Sequence, residues 1–517
     1  MGKIKSAIIT AILVAAIVVL AFFATVSFPV AGSGKVNKYN SFITSINLGG
    51  DLTGEAVAVL YPKGVISEAD YNFGIPEVPE KTDDNSKEVE EAQKKHDEYI
   101  EKYEKIGNLY VEQEVLVDDK DGKELIKSVK HDAEILSKRL GEKGYSSYSV
   151  SVRDDLTLVV SVPTNYSYSD YRDTEHTKSE NSRTDKQTIV SNAIKNMAFG
   201  GELSLRNSEV GEGHDKILTK INDDVNSYFK GFKKLSRGGG HYVRVDLTKV
   251  GVEKFEDISK RVSAASNEKA VGFYVGDSQL LSLGLEEEIS QESFLITVPD
   301  EQTAINYATV LNSCIDGEAI TLDYGTANDI DIIYTSPALG NNAAIFLFCS
   351  LLAIIVAAIV YSAVRYRMLG FVNAIVIIMY SLTIVVALML IGIQLTVTGA
   401  IFAMAGLALL CGSNFVLFEK VRQETQKGKT MQSAVKSAYK SLLKGILELH
   451  IVLVAVSLIL ALVGVGELAA CGLIFFIASI ASYLLYWFTR FMWFVVSSTV
   501  RDKFAFCGFK REELEDD

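Results

Sequence analysis

The stretch AAIFLFCSLLAIIVAAIVYSAV, residues 343–364, contains no charged side chain and is long enough to cross a lipid bilayer as a helix. Other apolar stretches also reach about the twenty residues that a bilayer requires, and they lie at 7–29, 370–393, 397–418, 446–465 and 469–496. The segment between the first stretch and residue 343 is polar enough to fold in water. The sequence therefore predicts an α-helical membrane protein with six transmembrane helices and one large external domain.

Basic residues beside the apolar stretches predict the orientation, because Lys and Arg in short flanking segments stay on the cytoplasmic side. They precede the first stretch and follow the second, fourth and sixth, as Lys3, Lys5, Arg365, Arg367, Lys420, Arg422, Lys427, Lys429, Lys436, Lys440, Lys444, Arg501 and Lys503. The intervening loops, 394–396 and 466–468, contain neither Lys nor Arg. We therefore expect both termini in the cytoplasm and an extracytoplasmic domain.

The expected division of the chain follows from these spans. Residues 1–31 form a cytoplasmic end and the first span, 32–342 the external domain, 343–498 five spans and 499–517 a cytoplasmic tail. A cleaved signal peptide is the alternative for the first span. Its apolar run is longer than the core of such a peptide, and no cleavage site follows it.

The composition of the external domain disfavours several kinds of partner and chemistry. The net charge of −13 comes mainly from this domain, which disfavours nucleic acid as a partner. Cys314 is its one cysteine, so no disulfide is expected within it. The six histidines lack metal-ligand spacing, and Gly32-Ser33-Gly34-Lys35 lacks the Ser or Thr of a phosphate-binding loop. We therefore expect no metal, no cofactor and no enzymatic activity.

Helices alternate with strands in the external domain. Residues 128–162 predict a helix and two strands, 248–275 a helix and one strand, and 301–323 a third helix followed by a strand. This order is typical of an α+β fold with ferredoxin-like units. Residues 83–106 predict a charged helical insertion, and 164–240 a mobile or inserted subdomain.

Ionisable residues in apolar spans are costly to bury, so they are candidates for a proton relay. Arg490 lies about 10 Å from the cytoplasmic end of the last span at 1.5 Å per residue. Glu419 ends the fourth span, Glu448 opens the fifth, and His450 follows two residues later. Arg490 and the two carboxylates can form a charge cluster; alternatively, Arg490 extends to water and the carboxylates cap helix ends. Residues 431–446 predict an amphipathic helix on the inner leaflet or against a cytoplasmic partner.

Two motifs resemble those of SecD subunits of the bacterial protein-export machinery, which are related to resistance-nodulation-division transporters. LGGDLTGE at 48–55 resembles the family's signature after its first span, and NFVLFEKVRQETQKGKTMQSAVKSAY at 414–439 resembles the end of its fourth span and the loop that follows. RYRMLG at 365–370 and FTR at 488–490 also fit. The motif positions of interest are Gly50, Asp51, Leu52, Gly54, Asn414, Phe418 and Glu419.

The resemblance implies an accessory subunit of the protein translocase in the bacterial cytoplasmic membrane. It implies a SecF-like membrane subunit and the SecYEG channel as partners, with membrane lipids around the spans. The external domain is then expected to grip and release an exported unfolded polypeptide, driven by the proton-motive force.

The fourth span departs from the family pattern. The family has a carboxylate two residues before the asparagine matched by Asn414, whereas this chain has Gly412, and Thr398 replaces a proline. Glycine carries no proton, so the relay lies in a SecF-like partner, has moved to Glu448 with Arg490 as counter-charge, or has been lost. We favour the first account. The alternative functions are a small-molecule or lipid exporter of the resistance-nodulation-division class and an uncoupled scaffold subunit.

Overall fold

The structure is a computed structural model, and it describes residues 3–32, 35–79, 86–116, 122–164, 180–219, 224–325 and 330–497. Six of the described helices are long and apolar enough to cross a membrane, which confirms the predicted architecture. They are span 1 (Lys3–Thr25), span 2 (Ala343–Tyr366), span 3 (Met368–Ile391), span 4 (Val397–Gln426), span 5 (Met431–Val463) and span 6 (Glu467–Ser497). The expected tail, 499–517, lies outside the described residues.

Spans 4 and 6 are the most enclosed of the six, whereas spans 1 and 2 are largely exposed. The apolar core of the bundle is formed mainly by side chains of spans 3, 4 and 6, among them Tyr380, Leu410 and Tyr486. Exposed apolar side chains such as Leu352 and Leu462 cover the outer surfaces of spans 2 and 5. Such surfaces are stable against lipid tails rather than water.

Span 5 is longer than its apolar stretch. Residues 431–446, for which a separate surface helix was predicted, form the first turns of one continuous helix, Met431–Val463. Ala434, Ala438 and Tyr439 on this part are buried in the bundle. The small side chains of the two alanines let the helix pack closely, so its apolar face is buried by protein.

The external domain consists of short strands and helices between spans 1 and 2. Its strands are β1 (Phe28–Gly32), β2 (Lys35–Tyr39), β3 (Glu55–Leu60), β4 (Val65–Ser67), β5 (Tyr103–Ile106), β6 (Leu109–Glu112), β7 (Ser149–Val152), β8 (Leu158–Pro163), β9 (Leu203–Arg206), β10 (Phe229–Arg237), β11 (Gly240–Leu247), β12 (Ala270–Val275), β13 (Ser278–Gly284), β14 (Ser293–Val298) and β15 (Ile332–Thr335). Its helices are Gly50–Thr53, Glu68–Gly74, Ser86–Lys102, Lys123–Lys143, Glu180–Met197, Lys249–Ser263 and Glu301–Ile315, with 3-10 turns at Ile43–Ser45 and Val225–Tyr228.

One antiparallel sheet, in the order β15-β3-β8-β7, connects the domain to the membrane. β3 alternates half-buried and buried residues, so Ala56, Ala58 and Leu60 face the core as an amphipathic strand requires. β15 leads into span 2. Smaller sheets, β13-β12-β9, β10-β11-β14 and β4-β6-β5, complete the domain, and β1 pairs with β2.

Three segments differ from the sequence-based expectation. The described part of 164–240 is no separate subdomain, because β9 pairs with β12 and β10 pairs with β11 beyond it; residues 165–179 lie outside the description. The 83–106 insertion is helical only over Ser86–Lys102 in its described part and ends in β5. No strand follows the Glu301–Ile315 helix within 316–325, because the Asp132 carboxylate binds the amides of Thr321 and Leu322.

Candidate functional site: the junction of the external domain with span 4

The LGGDLTGE motif joins the external domain to the membrane bundle. Leu48 and Leu52 are fully buried, and both belong to the apolar core of the bundle rather than to that of the external domain. Ile393 and Leu395, in the loop between spans 3 and 4, belong to the same core. The motif is therefore inserted into the end of the membrane bundle that faces the domain.

Backbone hydrogen bonds hold the motif against this loop. Leu48 and Leu395 form a parallel bridge, in which the Gly49 amide donates to the Leu395 carbonyl at 2.9 Å. The Leu395 amide donates to the Asn47 carbonyl at 2.8 Å, and the Asn47 side chain donates to the Gly392 carbonyl at 3.2 Å. Two segments distant in the sequence thus share a short ladder that fixes their register.

The glycines of the motif permit this close approach. A Cβ on Gly49 would lie 2.5 Å from Cγ2 of Thr396, and one on Gly50 would meet the Glu55 side chain. Gly54 has a φ of +91°, and a Cβ there would collide with the Thr335 carbonyl of β15. A side chain at Gly49 would therefore push the loop away, and one at Gly54 would be strained whatever the space.

Asp51 binds the first turn of span 4. Its Oδ2 accepts a hydrogen bond from the backbone amide of Val397, the first residue of that helix, at 2.7 Å. Thr396 caps the same turn by accepting from the Gly399 amide at 3.0 Å. A carboxylate at a helix N-terminus also meets the positive end of the helix dipole. The external domain thus supplies a ligand for the outer end of span 4.

The second oxygen of Asp51 is differently placed. Its Oδ1 is buried and has no hydrogen-bond partner among the described residues. Burial raises the pKa of Asp51, the hydrogen bond from Val397 opposes this effect, and the negative charge of Glu467 raises the pKa further. Asp51 therefore holds a proton more tightly than an aspartate in water.

A second connection runs from the loop after the Lys123–Lys143 helix. The Gln394 side-chain oxygen accepts from the amides of Ser146 and Ser147 at 3.0 and 2.9 Å, and the Gln394 amide donates to Oγ of Ser146 at 2.8 Å. Gly466, before span 6, has a φ of +57°, and a Cβ there would contact the Tyr148 carbonyl. The external domain therefore contacts the outer ends of spans 3, 4 and 6 together.

The helix behind this loop is anchored by two buried charges. Asp132 accepts from the Thr321 amide at 2.7 Å, the Leu322 amide at 3.0 Å and the Tyr324 hydroxyl at 3.1 Å. Arg139 is fully buried and donates to the Met197 carbonyl at 2.9 Å, among other acceptors. Such fully partnered groups stabilise one arrangement of the domain, since each lost partner would leave a buried polar group unpaired.

The carboxylates predicted as relay candidates lie apart. Glu419 forms an ion pair with Arg365 of span 2 at 3.2 Å. Glu448 lies 3.8 Å from Lys444, one turn earlier on the same helix, and its side chain is 64% exposed. Each carboxylate thus has its own basic neighbour, as in the helix-end alternative.

Arg490 and His450 also have separate partners. The Arg490 guanidinium lies over the Tyr439 ring, 4.7 Å from its centre, in a cation–π contact. His450 is buried, with Nδ1 2.8 Å from the Ile446 carbonyl and Nε2 2.9 Å from Oγ of Ser482. The structure does not bring Arg490, Glu419 and Glu448 together.

A polar chain crosses the bundle near the middle of span 4. Asn414 donates to Oδ1 of Asn373 at 2.8 Å, and Asn373 donates to Oγ of Ser362 at 2.8 Å, linking spans 4, 3 and 2. All three are fully buried. Phe418, one turn later, is buried against Tyr366 and Trp493. The motif positions of span 4 thus stabilise the bundle.

Gly412 lies on the opposite face of span 4. A Cβ on Gly412 would meet no atom within 4 Å in the described part of the chain. The exposed residues of this face are Ile401, Ala405, Ala408, Gly412 and Val416. The position at which the family has a carboxylate therefore points out of this chain's own bundle.

The LGGDLTGE motif is visible in the sequence, but its partners are not. Gln394, Ser146 and Ser147 carry no pattern of their own, and about 250 residues separate the two sides of their contact. Glu467 was not among the predicted site residues, but it opens span 6 and its charge acts on Asp51. The paired glycines of the motif were the one available signal of a close approach.

The chain is a multi-pass membrane protein, with one span, an external α+β domain and five further spans. Residues 318–497 match the family profile described as "Protein export membrane protein SecD/SecF, C-terminal". With the relatives below, this match confirms the predicted resemblance to SecD-type membrane proteins.

The relatives cover the chain in part. It is 28% identical over 134 residues to the protein translocase subunit SecD of Aquifex aeolicus, covering 26% of each protein. It is 27% identical over 260 residues to SecD of Koribacter versatilis, covering 49% of this chain and 43% of the relative. The matches thus span less than half of these relatives.

A crystal structure of SecDF in a super-membrane-facing form aligns with 96% of this chain and 59% of its own, at a TM-score of 0.51 and 14% identity. At that identity the likeness shows the fold alone.

Proposed function

We propose that the chain is an accessory subunit of a protein translocase, which assists the export of unfolded polypeptide across the cytoplasmic membrane. In this proposal residues 32–342 lie outside and both termini are cytoplasmic. The observation that carries it is the attachment of the external domain to the first turn of span 4. The resemblance to SecD supplies the substrate class.

The junction provides a direct mechanical connection. A shift of span 4 moves Val397 and the 392–396 loop, which hydrogen-bond to Asp51 and Gly49. The strand β3 begins at Glu55, directly after the motif, and lies inside the main sheet. A conformational change in the membrane is therefore transmitted to the external domain, which grips and releases the polypeptide.

A second membrane subunit completes the proposed machine at the open face of span 4. Ala405, Ala408 and Gly412 give this face small side chains, which permit close approach of another helix in a membrane. We place a SecF-like subunit there, beside the SecYEG channel. Because Gly412 has no ionisable group, the partner supplies the residue that couples export to the proton-motive force.

Photo-crosslinking tests this placement. A benzophenone amino acid at Ala408 is expected to crosslink the SecF-like subunit in intact membranes. The matched control is the same amino acid at Leu462, which is 76% exposed on span 5. Equal yields at the two positions would contradict the placement.

Depletion of the chain tests the proposed function itself. In a depleted strain we expect slower export of a secreted reporter, and normal export kinetics would contradict the function.

A cavity gives specific support to the second candidate, an exporter of a small molecule or lipid. It measures about 820 Å³, lies between the external domain and the outer ends of spans 5 and 6, and is mainly apolar. Tyr145, Tyr148, Leu462 and Phe476 contribute to its lining. Depletion should then cause a lipid or small molecule, rather than secretory precursors, to accumulate in the cell.

The third candidate, an uncoupled scaffold, differs from the other two because the chain itself would not use the proton-motive force. It predicts that uncouplers slow export equally in cells with and without the chain. A larger effect of uncouplers in cells that contain the chain would exclude it.

A further inference from the structure

Asp51 is enclosed by three elements of the junction. Its own motif places it beside Gly49, span 4 donates the Val397 amide to its Oδ2, and span 6 begins next to it with Glu467. A Cβ built on Gly49 would lie 2.9 Å from Oδ1 of Asp51 and 3.1 Å from Oγ of Ser147, so both oxygens lie beside Gly49. The buried Oδ1 is thus the free acceptor of an otherwise well-bonded junction.

The charges around Asp51 are of one sign. Among the described residues, the titratable group whose charge acts on Asp51 is Glu467, and Asp51 in turn acts on the Cys471 thiol of the same span 6. Span 4 presents the Val397 amide, and the 145–148 loop presents the Ser147 hydroxyl. No Lys or Arg is among these neighbours, so the negative charge of Asp51 is stabilised by backbone amides, chiefly that of Val397, and by the helix dipole.

We propose that Asp51 and Glu467 form a proton-binding site at the outer end of span 4, and that docking of the external domain takes up a proton there. The proton adds to Oδ1 of Asp51, the oxygen without a partner, while Oδ2 keeps its bond from Val397. Glu467 favours this uptake by charge repulsion. The inference depends on the junction and not on the exported polypeptide. It can therefore fail while the proposed export function stands, and the export function can fail while the inference stands.

The direction in which pH changes docking follows from the pKa of Asp51 in the docked and the open junction. Burial and Glu467 raise the pKa of Asp51 above its value in an open, hydrated junction. The docked state therefore binds the proton more tightly, and acid on the outer side stabilises docking. This stabilisation is complete below the ordinary pKa of an aspartate and is lost as the pH rises through the raised pKa. A proton-motive force, which acidifies the outer side, thus favours the docked external domain.

Hydrogen exchange on the full chain in lipid nanodiscs tests the proposal. Exchange is measured between pH 5 and pH 8, corrected for the intrinsic rate, in peptides that cover residues 46–54 and 392–400. We expect protection of both peptides to decrease as the pH rises. Peptides from β12 should show no such change, because that strand lies in the external core away from the junction.

Two variants test the contributions of Asp51 and Glu467 separately. Asp51→Asn keeps an oxygen to accept from Val397 but cannot titrate, so protection should become independent of pH and stay at the acid level. Glu467→Gln removes the repulsion and should shift the transition to lower pH by about one unit, as expected for loss of a nearby like charge. Asp277→Asn, at a side chain that is 97% exposed, should behave as wild type.

Two results would overturn the proposal. One is protection of the wild-type junction that does not change with pH. The other is an Asp51→Asn chain that keeps the wild-type pH dependence. If Asp51→Asn does not fold, the shift in Glu467→Gln decides the question by itself, because an unchanged transition there excludes the pair.

Discussion

Two glycines on span 4 show the difference between its two faces. A Cβ on Gly406 would lie 2.6 Å from Cβ of Ala478 on span 6 and would also meet the Tyr380 hydroxyl of span 3. A Cβ on Gly412 would meet no described atom within 4 Å. Gly406 therefore lets three helices of this chain pack closely. Gly412 lies on a face that the chain leaves to lipid or to another protein, so the membrane bundle is closed on one side of span 4 and open on the other.

Gly406→Leu should have the largest effect. The leucine would force spans 3 and 6 away from span 4, and overpacking of this kind typically costs about 1–3 kcal/mol or more. We expect a strongly lowered midpoint of thermal unfolding in detergent. Gly284→Ala is the control, because a Cβ at that exposed position would meet nothing within 4 Å in the described structure. A stable Gly406→Leu chain would show that this face is not tightly packed.

Gln394→Ala should come next, since it removes the side chain that connects the span 3–4 loop to the external domain. It leaves the amides of Ser146 and Ser147 without their acceptor, which costs about 1–3 kcal/mol when the donors are buried. Faster hydrogen exchange in residues 144–150 would show the loss. Gln279→Ala, at an exposed position of β13, should leave exchange there unchanged. Wild-type protection in Gln394→Ala would mean that the LGGDLTGE motif alone holds the junction.

Gly412→Leu should change assembly rather than folding. Its effect on the stability of the isolated chain should stay within about 0.5 kcal/mol, as for other surface substitutions. Co-purification of the SecF-like subunit should decrease, because a bulky side chain keeps the partner helix at a distance. Undiminished co-purification would place the partner on another face. Destabilisation as large as that of Gly406→Leu would remove the distinction between the two faces.

Glu448→Gln should have the smallest effect. The side chain is largely exposed and has only a distant, exposed ion pair with Lys444, which contributes about 0–1 kcal/mol. We expect unchanged stability and unchanged export. Proton flux through vesicles that contain this chain alone, if abolished by Glu448→Gln, would instead assign the relay to Glu448 and contradict its placement in the partner.

Local composition was enough to predict the membrane architecture. A helix in lipid must satisfy its backbone hydrogen bonds internally and expose apolar side chains. Each span therefore corresponds to one continuous apolar stretch of sequence, such as 343–364. Residues 55–60, which form β3, likewise follow a local alternating pattern of burial. Segments whose structure depends on distant partners were harder: residues 316–325 form no strand because Asp132, far away in the sequence, binds their amides.

The candidate site was predictable only in part. The motifs identified Asp51 and Asn414, whereas a charge cluster of Arg490 with Glu419 and Glu448 was one of two open alternatives and rested on depth in the membrane. Depth does not say which way a side chain points around a helix. Arg490 faces Tyr439, and each carboxylate faces a nearby basic residue instead.

The sequence by itself determined six spans, a large external domain and the resemblance to SecD, because hydropathy and short motifs are properties of neighbouring residues. Only the tertiary structure decided that Asp51 caps Val397, 346 residues away, and that Gly412 faces outward while Gly406 faces inward. These contacts depend on how helices rotate and pack against one another. No periodicity within a single segment encodes that packing, so the coupling of the external domain to span 4 became visible only in the folded chain.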